Sequence, residues 1–131
     1  MYTNNSLISQ FIACHNTREA LAITDSCKSL DAFLAVVDLH GAYLRVSDTA
    51  KAMIGCDLNC LKSETIFSMA IDTERPELFK ACSRAVIQGS VYRISHHIKC
   101  SNSEKVPVVT HMKKVIDDTG IEMILCMNVK A

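Results

Sequence analysis

Apolar and polar positions follow two rhythms along this chain. From 32 to 47, and again from 91 to 129, apolar runs have strand length and end at polar, turn-forming residues. Elsewhere apolar residues recur every three to four positions, the spacing of one helix face. "AFLAVVD" (32–38) and "AYLRVS" (42–47) predict a hairpin around Gly41. Ser47 stands where a helix N-cap belongs, Asp48 enters the first turn, and "DTAKAMI" forms a short helix stopped by Gly55. "CDLNCLKSETIFSMAI" (56–71) predicts one or two short helical turns. "DTERPELFKACSRAVIQG" (72–89) is the clearest helix, with Asp72 or Thr73 as cap, Pro76 in the first turn and Gly89 at the end. Leu78, Phe79, Cys82, Ala85 and Val86 make its buried stripe. Strands at 91–100, 106–116 and 121–129, joined by "SNSEK" and "DDTG", predict a three-stranded meander.

Ahead of the first strand, residues 3–28 read as largely helical, with Leu7, Ile8, Phe11 and Ile12 on one face. This leader (1–29) precedes the domain proper (30–131). It is expected either to pair with a second copy through those four residues or to fold back on its own sheet.

Composition narrows the function classes. A chain of 131 residues, 49% apolar, makes one folded domain. Fourteen basic residues balance fourteen acidic ones, which removes the footprint of a nucleic-acid binder and favours self-association. Seven cysteines at irregular spacing, with neither a secretory signal nor a membrane-length apolar run, point to free thiols in a reducing cytoplasm. No nucleophile elbow, phosphate loop, HExxH or paired carboxylate motif is present, so an enzyme is not expected.

The element order, with "DLHG" (38–41), "MIG" (53–55), "IQGS" (87–90) and "DDTG" (117–120) at fitting intervals, resembles the PAS domain family over residues 30–129. Two positions depart from its pattern: Ser47 stands where many members have asparagine, and Ser63 replaces a usual glycine. The resemblance implies an α+β fold, a five-stranded antiparallel sheet with helices on one face, here preceded by the amphipathic leader. It further implies a sensory or dimerisation module coupled to an output domain C-terminal to it. The Met1 start suggests the N-terminal part of a bacterial transcription regulator of LuxR-type or TraJ-like kind, with a histidine kinase or other signalling enzyme as the alternative parent.

A pocket between the long helix and the sheet is implied as well, with Phe67, Leu78, Cys82, Ile94, His96, His111 and Met123 as lining candidates. His96 and His97 point to opposite faces of a strand, so one hydrogen-bonded, half-buried histidine and one solvent histidine are the favoured reading; the alternative has His96 approach His111 on the next strand. Such a pair would bind a ligand or respond to pH. Cys60 lacks the Gly-x-Asn-Cys-Arg-Phe-Leu-Gln context of a flavin-reactive cysteine. The long helix lacks a haem-ligating histidine, leaving Cys82, or Cys14 with His15, as the soft-ligand options. Cys56 and Cys60 form a C-x3-C pair without a second pair for zinc. No cofactor is therefore assigned; a small apolar metabolite or haem is the open option.

Overall fold

The computed structural model describes residues 4–26 and 31–131. Helices α1 (Asn4–Ala13) and α2 (Thr17–Ser26) are followed by strands β1 (Ala32–Val37) and β2 (Tyr43–Val46). Helices α3 (Thr49–Ile54) and α4 (Leu58–Leu61) come next, then a 3-10 turn (Asp72–Glu74) running into α5 (Arg75–Gln88). Strands β3 (Tyr92–Lys99), β4 (Lys105–Ile116) and β5 (Glu122–Lys130) complete the chain. The five strands form one antiparallel sheet in the order β2-β1-β5-β4-β3.

Both faces of that sheet are covered. On one, Phe33, Ala35 and Val37 of β1, Val108 and Met112 of β4, and Ile124 and Cys126 of β5 pack against Ala50, Ile54, Leu61, Leu78 and Ala81 of α3–α5. On the other, Leu34, Val36, Val115, Leu125, Met127 and Val129 pack against Leu7, Phe11, Cys14 and Ala20 of α1 and α2. Burial on two faces explains why β1 and β5 read as continuous apolar runs instead of alternating ones.

Among the described residues the leader is two helices, folded back on its own sheet. Asn16 starts the second, its Oδ1 accepting from Glu19 N–H at 2.9 Å, while Glu19 Oε2 accepts from His15 N–H at 3.0 Å. This reciprocal box satisfies orphan helix donors and breaks the helix at a place the apolar spacing does not mark.

Three predicted caps are used differently. Ser47 does not cap α3: its Oγ accepts from Leu34 N–H at 2.9 Å and meets Thr49 Oγ1 at 2.8 Å. A hydroxyl committed to the β1 backbone leaves Asp48 in the cap position without a side-chain cap bond. Neither Asp72 nor Thr73 caps α5; Asp72 pairs with Arg75 at 3.0 Å, and α5 begins after the 3-10 turn. Phe79 is 62% exposed and lies outside the buried stripe; it pairs instead with Phe67, centroids 5.6 Å apart.

The two Asp-x-x-Gly segments fold alike. Asp38 Oδ1 accepts from His40 and Ala42 N–H, and Asp117 Oδ1 from Thr119 and Ile121 N–H. Gly41 is required twice over: its φ is +87°, and a Cβ there would stand 2.7 Å from Phe67 Cε2.

Candidate functional site

Three polar side chains from three neighbouring strands meet inside the apolar core beneath α5. His96 on β3, Thr110 on β4 and Asn128 on β5 are all buried. His96 Nε2 lies 2.6 Å from Thr110 Oγ1, and Thr110 Oγ1 lies 2.7 Å from Asn128 Oδ1. Asn128 Nδ2 donates to Cys126 O at 3.2 Å and Phe33 O at 3.4 Å.

These contacts fix the direction of every proton in the line. Two backbone carbonyls hold the Asn128 amide with its NH2 toward them, so Oδ1 must accept. The Thr110 hydroxyl donates to it and accepts from His96, which places the neutral ring's proton on Nε2. Nδ1 is then a buried acceptor, and it has no hydrogen-bond partner. Burial pushes the His96 pKa below the ordinary histidine value, the backbone of His97 and the charge of Glu74 opposing this only in part.

His96, Thr110 and Asn128 border a small cavity completed by Tyr43, Ile66, Leu78, Ile98, Met112 and Cys126. Its volume is about 10 Å³. That is room for about one water, far below the few hundred Å³ of a typical ligand pocket. A haem or flavin does not fit this packing. Burial also raises the Cys82 thiol to about 11, which opposes the thiolate a haem iron would need. Tyr43 and Cys126 are likewise pushed far above their ordinary values, first by burial.

The structure sorts the seven lining candidates into different places. Leu78 and His96 line the cavity. Cys82 and Phe67 belong to the same core without lining it. Ile94 borders a surface groove between α5 and β3. Met123 and His111 do not belong with them: Met123 packs with the leader-side cluster, and His111 pairs with Arg93 in the β3–β4 register while His96 pairs with Val108. The odd offset puts the two histidine rings on opposite faces, so the alternative approach of His96 to His111 does not occur. Thr110 and Asn128 were the missed members. Asn128 in "ILCMNV" was the available signal, because a polar residue within a buried strand needs partners.

The four leader residues are also distributed. Leu7 and Phe11 are fully buried against the chain's own sheet, Ile8 is half-buried, and Ile12 is 50% exposed. On the cysteines, Cys60 is exposed on α4, Cys14 is buried beside an exposed His15, and Cys56 is raised by burial and then by the neighbouring Cys60. Cys27 lies outside the described residues. Among the described residues no cluster of histidines, cysteines and carboxylates could hold a metal ion, and no helix is long and apolar enough to cross a membrane.

No protein-family model matches the chain, and no curated protein does. Solved structures do. The PAS-B domain of Cycle from Drosophila melanogaster, described with bound ethylene glycol, superposes with a TM-score of 0.69 at 11% identity, covering 76% of this chain and 99% of that one. The PAS domain of an HTR-like protein from Haloarcula marismortui gives 0.70 at 12% identity, covering 87% and 90%. A domain of a sensory box sensor histidine kinase/response regulator from Geobacter sulfurreducens gives 0.62 at 15% identity, covering 83% and 89%. With its sheet order, its helix-covered face and these likenesses, the chain has the PAS fold.

Proposed function

We propose that this chain is the sensory and dimerisation module of a longer bacterial signalling protein. Its output is a separate domain, in our reading the DNA-binding part of a transcription regulator. The observation that carries the sensory half is the open acceptor His96 Nδ1 beside the core cavity. An unpaired polar atom at this depth costs about 1–3 kcal/mol, and a donor from a small ligand or a water relieves it. A ligand larger than water requires α5 to shift from the sheet, and that shift is the event a sensor would pass on. The signalling context of the Geobacter sulfurreducens relative supports this reading by likeness of fold. No catalytic part is assigned to the chain.

Homodimerisation is supported by the zero formal charge and by large apolar side chains left on the surface, Ile12 among them. Since Leu7 and Phe11 are used by the chain's own sheet, pairing through the leader rests on Ile12 with the half-buried Ile8. Light scattering on wild type and Ile12→Glu tests it. A dimer that becomes a monomer supports this face; a wild-type monomer at all accessible concentrations, or a dimer that survives the change, contradicts it.

A further inference from the structure

Strand β3 is an edge of the sheet, bonded on one side to β4 alone. Its free side is occupied along only half its length. Lys99 N–H donates to Met69 O at 2.7 Å, next to an antiparallel bridge between Ala70 and Ile98. His97 N–H donates to Glu74 Oε1 at 2.7 Å, while the other carboxylate oxygen meets the His97 ring at 2.9 Å. Alternation along a strand sends the N–H and C=O of Ser95 and Arg93 to the same side, where no partner among the described residues meets them. That open stretch lies in a groove of about 440 Å³ between α5 and β3.

The groove's charges are specific. Glu74 is committed to His97, and Glu77 pairs with Lys80 at 3.4 Å. Arg84, set over the Tyr92 ring, and Arg93 have no carboxylate partner among the described residues. Glu74 shows what the edge accepts: a carboxylate on an outward N–H, following a short extended segment that bridges to β3.

We propose that the β3 edge at Arg93–Ser95 takes up an extended, acidic peptide segment of a partner protein. The segment adds to the edge as a further strand whose side chains alternate between faces, one carboxylate held by Arg84 on the α5 face and its neighbour by Arg93 on the opposite face. A second copy of this chain fits less well. Two β3 edges pairing antiparallel about Ser95 would set each Arg93 opposite the other's His97, whose outward N–H Glu74 already takes, so little of either edge is left to pair.

The test is an amide NMR titration of the full chain with acetyl-Val-Glu-Glu-Glu-Val-amide, whose successive carboxylates fall on both faces of a strand. Controls are the same peptide N-methylated at alternate positions and its lysine counterpart. The proposal expects saturable shifts centred on Arg93 and Ser95 with the acidic peptide, and at least about tenfold weaker binding with both controls. Ser95→Pro removes one outward N–H and leaves the β4 ladder whole, so it is expected to weaken binding by about tenfold with the fold retained. Arg84→Glu with Arg93→Glu gives a second variant that leaves the backbone alone and is expected to abolish binding. Equal binding of the N-methylated peptide, shifts mapping elsewhere, no binding at millimolar peptide, or concentration-dependent self-pairing at Ser95 in its place would each overturn the proposal.

Discussion

Thr110 Oγ1 stands between two buried side chains, 2.6 Å from His96 Nε2 and 2.7 Å from Asn128 Oδ1. One hydroxyl therefore donates in one direction and accepts from the other, and it joins three strands into a single polar line. Thr110→Val keeps the shape and removes both bonds. It leaves a buried donor and a buried acceptor unpaired, at about 1–3 kcal/mol each. Chemical denaturation should show a loss of about 2–4 kcal/mol, and Thr110→Ser should recover most of it. A Val variant as stable as wild type would show that the line contributes nothing net.

Acid should destabilise the chain through its histidines. Burial lowers the pKa of His96, and burial with the nearby Arg93 charge lowers that of His111. The unfolded chain then binds protons first, so their stabilising contribution is complete above the ordinary histidine value. It is lost as pH falls through the lower folded values. Glu74 adds a further loss at lower pH: burial opposes ionisation there, but the hydrogen bonds from His97 prevail and hold its carboxyl below its ordinary value. Histidine ring resonances followed by NMR should place the midpoints of His96 and His111 below that of a free histidine. Midpoints at or above it contradict this picture.

The leader should behave as part of the core. Phe11 is fully buried between α1 and the sheet, so Phe11→Ala is expected to cost about 3–5 kcal/mol. Lys113 Nζ reaches from β4 to Ile12 O at 2.7 Å and to Cys14 O, meeting the negative end of α1. Lys113→Met should cost about 0.3–1 kcal/mol and raise hydrogen exchange in α1 more than in α5. Exchange that stays unchanged in α1 would mean the ammonium does not hold the helix in place.

Two glycines with the same backbone should respond differently to alanine. A Cβ on Gly41 (φ +87°) would meet Phe67 Cε2 at 2.7 Å, whereas one on Gly120 (φ +85°) would find open space. Left-handed strain of about 1–2 kcal/mol applies to both, and only Gly41→Ala must also displace an aromatic ring. Thermal melts should rank Gly41→Ala well below Gly120→Ala; equal losses would remove the ring contact from the explanation.

Much of this fold is written in short-range pattern. Gly41, Gly55, Gly89 and Gly120 all take positive φ, and each marks a boundary that the strand and helix periodicities also require. What was not legible depends on pairing register. Alternation places His96 and His111 each on a face of its own strand, but only the pairing of His96 with Val108 shows that those faces differ. Ser47 reads as a cap because its local sequence is a cap sequence, and a partner 13 residues earlier, Leu34, claims its hydroxyl. Asn16 and Glu19 form a capping box that was readable, and it was masked by apolar spacing that runs through both leader helices.

The central claim is that the core around His96 receives a small hydrogen-bond donor within a homodimer. Native mass spectrometry of wild type and His96→Leu, each compared with its denatured mass, addresses both halves at once. The account predicts a dimer that carries a small added mass, released on denaturation and missing from His96→Leu. A wild-type chain that is monomeric and carries no added mass, even after exposure to small alcohols and amines, would contradict it.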